Sequence, residues 1–223
     1  MSRLPQPRGS TVIHLVRHGE VAQNEGERVY GDMEMPLSER GLAQLEEVAA
    51  ELAHEPIRAV FTSDLERARI GGASIARPHR LEIAVDPNLR EIYRGLWRGL
   101  TWSEIERRWP GGPQRFLKEP ATYRDHDGET LADVDRRAAA AFERIVAIAD
   151  GGVVAVVSHS WIVRTLIARV LDAPLEAAMN LPVETGSIQT IVSSGGAWRL
   201  LCFNCGPASR RHSRSPTPQS PTG

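Results

Sequence analysis

The sequence predicts an α/β fold, a three-layer α/β/α sandwich around a mostly parallel sheet. Three observations carry that expectation. Segments of strand type and segments of helical period alternate along most of the chain, the pattern that builds a sheet with helices on its faces. One strand segment, "VVAVVS" at 153–158, is apolar up to its last residue, as a central parallel strand covered on both faces must be. Four polar clusters each follow directly on a strand segment, and in such a sheet the carboxyl ends of the strands lie along one edge.

Taken in order, "TVIHLV" (11–16) is the first strand, because β-branched residues suit an extended backbone better than a helix. Ser38 in "PLSERGLAQLEEVAAELAHEP" is placed to cap a helix. Leu42, Leu45, Val48, Ala49 and Leu52 then recur at helical spacing until Pro56 stops the pattern. "IRAVFT" (57–62) is the second strand. "SDLERARIGGASIA" (63–76) follows as a helix, weakened by about 1 kcal/mol each at Gly71 and Gly72 relative to alanine. "LEIAV" (81–85) is the third strand.

Residues 86–128 show little periodicity beyond short helices near 101–109 and 113–118, and an irregular insertion of that length is usually functional. Its Trp97, Trp102, Trp109 and Tyr123 either line a substrate mouth or pack the insertion onto the domain. "TLADVDRRAAAAFERIVAIAD" (130–150) is a long helix capped by Thr130, with Glu129 near its positive end. After the central strand a helix runs from about 160 to 172, and Pro174 marks its end. "SIQTIVS" and "AWRLLCF" alternate around "SGG" as a closing β-hairpin.

These elements make one domain over 11–205 with an insertion at about 86–128, a size sufficient for a sizeable core. Residues 1–10 are expected to be flexible. Residues 206–223, rich in Ser, Pro and Arg with almost nothing to bury, are expected to be disordered. A net charge of −1 leaves no global field to recruit nucleic acid or an anionic membrane, so any anion site must be local. "MSRLPQPRGS" lacks a signal peptide's apolar stretch, and no apolar run approaches the roughly 20 residues of a membrane span. Two cysteines cannot make a disulfide framework, so Cys202 and Cys205 are expected as reduced thiols in a cytoplasmic protein. Nothing in the sequence sets an oligomeric state, although the terminal hairpin offers a sheet edge.

The polar clusters are "RHGE", "SDLERAR", "NLREIY" and "HSW", and with them Arg17, His18, Asn24, Arg67, Glu91 and His159 come to the same edge. Two guanidiniums supply planar, paired donors that match a phosphate. Fixed cations also disfavour the imidazolium form, so a histidine between them stays neutral near pH 7 and keeps a lone pair for attack. The expected reaction is in-line attack of His18 on a phosphate monoester, giving a phosphohistidine that water hydrolyses. Arg17, Asn24, Arg67 and His159 would hold the equatorial oxygens. Glu91 would protonate the leaving alkoxide and then act as base toward water. Tyr30, Gly31, Arg94 and Ser160 are candidate pocket residues.

In order and spacing, "LVRHGE", "SDLERA", "NLREIYRGLWRGLTWSEI", "DGET" and "VVSHS" resemble the histidine phosphatase superfamily, also called phosphoglycerate mutase-like, over roughly residues 11–203. The resemblance implies that fold, with His18 as the phosphorylated histidine, Arg17 and Arg67 as phosphate clamps and His159 as the second histidine. It makes Glu91 the proton donor and Asn24 a further phosphate contact. It implies a small phosphorylated substrate and no metal or organic cofactor. The chain departs from the family with Val21 and Gln23 where a threonine and a tryptophan are common, and with Ser160 and Trp161 after the second histidine. These changes leave the catalytic set whole but do not let substrate identity transfer.

Mutases of the family carry a longer basic insertion after the glutamate. Here that region is shorter, with one lysine, Lys118, and resembles the phosphatase branch. A phosphatase acting on a small metabolite is therefore expected, with a phosphoglycerate mutase-type transfer as the alternative. The alternative of another class is a non-catalytic phospho-ligand binding protein. Two rivals are weaker. Cys205 and Arg211 have the spacing of a cysteine phosphatase loop, but no helix follows to receive the phosphate. His14 and His18 have the spacing of zinc ligands on a helix, but on a strand they diverge.

Overall fold

The structure, a computed structural model, describes residues 9–22, 28–194 and 197–206. Asn24, nearly all of the expected flexible N-terminus and the tail beyond Gly206 lie outside the described residues. Six strands form one sheet: β1 (Thr11–Arg17), β2 (Ile57–Thr62), β3 (Ile83–Val85), β4 (Val153–Ser158), β5 (Ile188–Ser194) and β6 (Ala197–Cys205), in the order β3-β2-β4-β1-β5-β6. The first four are mutually parallel, while β5 and β6 form an antiparallel hairpin beside β1. The register aligns the strand ends, with Arg17 opposite Ser158, Thr62 opposite Val157 and Val85 opposite Thr62. Residues leaving β1, β2 and β4 therefore emerge side by side.

Alternation explains why β1 and β4 are apolar throughout. Val12, Val16, Val153, Ala155 and Val157 face one cluster, which includes Val48 and Leu52 of α1 (Glu39–Leu52) and Ile75 of α2 (Glu66–His79). Ile13, Leu15, Val154 and Val156 face the other, built with α5 (Leu131–Ala149) and α6 (Ser160–Val170). Both faces are thus covered, which completes the three layers. The insertion, with α3 (Trp102–Arg108) and α4 (Gly112–Lys118), joins the second cluster through Trp97, Ile105, Phe116 and Tyr123.

Several expectations meet corrections here. Ser38 does cap α1, accepting from Gly41 N, but Leu42 is 44% exposed and Gln44 takes a place on the buried face. The helix expected over 63–76 starts and ends three residues later, with Pro78 inside its last turn and Arg80 closing it in the left-handed region. Gly71 and Gly72 are the contact surface of that helix. A Cβ on Gly72 would lie 2.1 Å from Thr62 Cγ2, and one on Gly71 2.9 Å from Leu45 Cδ2. Cys202 and Cys205, expected as free thiols, are joined in a disulfide. Asn204 between them takes a φ of 52° and turns the strand end back, leaving the two Cα atoms 6.0 Å apart. Among the described residues no helix is long and apolar enough to cross a membrane.

Candidate active site

Each strand end delivers one part of the site. Arg17, the last residue of β1, is held from the far side: its Nη1 donates to Val183 O at 2.6 Å, and its own carbonyl accepts from Gly186 N at 3.1 Å. His18 follows, is 1% exposed, and donates its backbone N–H to Ser158 O of β4. From the chain after β2 come Ser63 and, in the first turn of α2, Arg67. From the end of β4 comes His159, which stands at the residue before α6 without a side-chain capping bond.

The His18 ring is flanked by two groups of fixed character. Its Nδ1 lies 2.7 Å from the carbonyl oxygen of Gly19, which only accepts, and its Nε2 lies 3.3 Å from Nε of Arg67, which only donates. Both partners select the same tautomer, with the proton on Nδ1 and the lone pair on Nε2. Burial, then the charges of Arg17 and Arg67, hold its pKa well below the usual histidine value. Burial holds His159 well below the usual value too, helped by His18, Arg67 and Arg17. The two rings sit with centroids 5.0 Å apart. His159 Nε2 is 2.6 Å from Ser63 Oγ, and its Nδ1 has no partner among the described residues.

Arg67 is 1% exposed. Besides His18 it donates Nη1 to Met33 O at 2.6 Å and Nη2 to Gly31 O at 2.8 Å, which fixes the segment carrying Tyr30, whose ring lies 5.4 Å from the guanidinium carbon. Glu91 is 7% exposed, and its Oε1 accepts from Ile92 N at 2.9 Å and from Trp161 N at 3.2 Å. The second bond seats a carboxylate on the N-terminal turn of the helix that His159 precedes, where the peptide dipoles favour negative charge. Arg17, Tyr30, Gly31, Glu91, Arg94 and Ser160 all line one cavity of 420 Å³.

The structure thus brings together Arg17, His18, Arg67, Glu91 and His159, with the four candidate pocket residues beside them. Of the insertion aromatics, Trp102 lines the cavity, while Trp97 and Tyr123 are core and Trp109 packs on it. Sequence reasoning missed Ser63 and Arg137. Arg137, on α5, donates Nη1 to Asn88 O and Arg90 O and Nη2 to Glu91 O, and pairs with Glu129. Glu129 in turn accepts from Tyr93 N, so one arginine–glutamate pair moors both sides of Glu91. The available signal was a cation beside the apolar stripe of Val134, Ala138 and Ala141.

Fold and site together define a three-layer α/β protein with two buried histidines and two arginines gathered at the carboxyl edge of its sheet. The chain belongs to the histidine phosphatase superfamily, branch 1, which it matches over residues 13–206. It is 29% identical over 177 residues to phosphoserine phosphatase 1 of Hydrogenobacter thermophilus, covering 79% of this chain and 84% of that one. It is 28% identical over 186 residues to a probable phosphoglycerate mutase of Serratia proteamaculans, covering 83% and 86%. Among solved structures, YhfR of Bacillus stearothermophilus superposes with a TM-score of 0.80 at 31% identity, covering 86% of this chain and 95% of that one.

Proposed function

We propose that this protein hydrolyses phosphate monoesters of small cytoplasmic metabolites through a phosphohistidine formed on His18, with no metal in the reaction. The observation that carries the reading is the enforced His18 tautomer, a buried neutral imidazole with its Nε2 lone pair beside the Arg67 guanidinium. The phosphoryl group docks against Arg17, Arg67 and His159, which share the charge on its equatorial oxygens. Asn24 contributes a further contact. Nε2 attacks phosphorus, the bond to the ester oxygen breaks, and Glu91, in its protonated form, gives the departing alkoxide its proton and is left as the carboxylate. Glu91 then takes a proton from water as that water attacks phosphorus. The N–P bond breaks, inorganic phosphate leaves and His18 returns neutral. The phosphatase over the mutase reading is supported by the short insertion, with Lys118 as its single lysine.

The test is hydrolysis of p-nitrophenyl phosphate in the presence of EDTA. We expect turnover in wild type, with an alkali-stable, acid-labile phosphoryl label on the protein, and neither in His18→Ala. Activity removed by EDTA, or lost only in Cys205→Ser, would refute the assignment. With a phosphoglycerate as substrate, free phosphate is the expected product, and isomer interconversion would move the reading to a mutase.

A further inference from the structure

Ser63 is fully buried in the site, yet the hydrolysis proposed above gives it no part. Thr62 ends β2 opposite Val157 of β4, and Ser63 N donates to Val157 O at 3.3 Å. The residue after β2 and the residues after Val157 therefore leave the sheet side by side. That register puts the Ser63 hydroxyl 2.6 Å from Nε2 of His159. His159 is buried as completely, and its carbonyl accepts from Val163 N at 3.0 Å in the first turn of α6. Backbone and ring of His159 are thus both held.

The direction of the serine–histidine bond follows from what surrounds Ser63 Oγ. A hydroxyl has one proton to give and two lone pairs to offer. Leu65 N donates to Oγ at 3.3 Å and, as an amide nitrogen, has no acceptor role. Among the described residues, the remaining partner of Oγ is Nε2 of His159. If Nε2 carried a proton, Oγ would accept twice and its own proton would be left unpaired in a fully buried position, which costs at least as much as a lost hydrogen bond. With the hydroxyl donating, Leu65 N, Oγ and Nε2 are all satisfied, and the neutral imidazole keeps its proton on Nδ1. That Nδ1 has no partner among the described residues. The His18 ring lies 5.0 Å away, centroid to centroid, with its Nε2 lone pair beside Arg67. The site thus holds a buried N–H that lacks an acceptor, next to the atom that would attack phosphorus.

We propose that Ser63 is a positioning residue: its hydroxyl donates to His159 Nε2, places the imidazole proton on Nδ1, and so makes His159 a neutral hydrogen-bond donor to the phosphoryl oxygens. In the other tautomer a lone pair would face those oxygens and repel them. This rests on the hydrolytic reading above and adds how its second histidine is set for the task. The two imidazoles reach the same tautomer by different means, His18 through a carbonyl that accepts at Nδ1 and His159 through a hydroxyl that donates at Nε2. Their roles differ because opposite edges face the substrate: His18 offers phosphorus a lone pair, and His159 offers its oxygens a proton.

Nitrogen-15 spectra of the full chain, with the His159 signals assigned by their loss in His159→Ala, test the tautomer, and titration with inorganic phosphate tests its consequence. In wild type, His159 should show a protonated Nδ1 and a bare Nε2 between pH 7.5 and 6.5. Ser63→Ala should lose that tautomer, wholly or in part, and weaken phosphate binding roughly 10–100-fold, the worth of one charge-assisted hydrogen bond. Ser63→Thr, which returns the hydroxyl, should recover the wild-type tautomer and most of the affinity. In a His159→Ala background, Ser63→Ala should cost less than about threefold, because Ser63 acts through His159. A wild-type spectrum with the proton on Nε2 overturns the proposal and needs no variant to fold. Weaker phosphate binding in Ser63→Ala with the tautomer unchanged overturns it too, since Ser63 would then be merely structural. If wild type still hydrolyses p-nitrophenyl phosphate through His18, either result removes the role of Ser63 alone. Wild type that neither binds phosphate nor hydrolyses p-nitrophenyl phosphate overturns the hydrolytic reading and this one with it.

Discussion

A histidine between two guanidiniums is a nucleophile only while it is neutral, and His18 is kept so by burial first and by Arg17 and Arg67 second. The same arginines that would bind the phosphate thus free the atom that would attack it. The carbonyl of Gly19 adds orientation, because it can only accept and so pins the proton on Nδ1. The expected consequence is spectroscopic. Nitrogen-15 shifts of His18 should report a protonated Nδ1 and a bare Nε2 from pH 7.5 down through 6.5 and beyond, with no change at the ordinary histidine midpoint. A titration centred near pH 6.5 would mean that the ring is neither buried nor flanked by cations in solution.

At the scale of elements, the site depends on how helices hold loops. Glu91 sits in irregular chain, and Arg137 of α5 fixes that chain by donating to the carbonyls of residues 88, 90 and 91. Arg137→Met should therefore loosen Glu91, the proposed proton donor, without touching Arg17 or Arg67. Alkyl phosphates, whose leaving groups need a proton, should lose kcat/KM at least tenfold more than p-nitrophenyl phosphate, within the factor of about 10²–10⁴ that general acid catalysis supplies. Equal losses on both would make Arg137 merely structural.

The helix α2 teaches a different lesson. Read by propensity, Gly72→Ala should stabilise by about 1 kcal/mol. The new methyl would instead lie 2.1 Å from Thr62 Cγ2, in a buried contact that cannot open. Overpacking of that kind costs about 1–3 kcal/mol. Urea unfolding should show a net loss of stability, because the steric term exceeds the propensity gain.

At the scale of the whole molecule, the sequence made the site legible where the sheet makes it. Arg17, His18, Arg67 and His159 stand at or just beyond strand ends that the register brings level, so polar residues after apolar runs were bound to converge. Arg137 reaches from α5 into the irregular chain that carries Glu91, and no spacing rule relates the two. The disulfide was illegible for a similar reason, since it turns on Asn204 adopting a left-handed backbone that asparagine permits but does not announce.

One property belongs to the fold as a whole. His14, His18, His126 and His159 are all buried, and burial is the first cause of the low pKa of each, to about 4 for His14 and His126 and well below the usual value for the other two. In the unfolded chain all four bind protons near pH 6.5, whereas the native state refuses them. Their full stability is therefore present above pH 6.5 and is lost as pH falls from 6.5 toward 4. Each histidine contributes a slope approaching about 1.4 kcal/mol per pH unit inside that window. The depressed carboxylates Glu46, Asp86 and Asp133 act in the same direction, but only at lower pH, below their ordinary range. Urea unfolding at a series of pH values should show the midpoint constant from 8 to 7 and falling steeply from 6.5 to 4.5. His14→Gln, far from the reacting atoms and bonded to Thr190 through the ring it replaces, should flatten that slope by about 1.4 kcal/mol per pH unit. A midpoint unchanged down to pH 5 would show that these imidazoles reach solvent in the native protein, and with them the neutral nucleophile on which the chemistry depends.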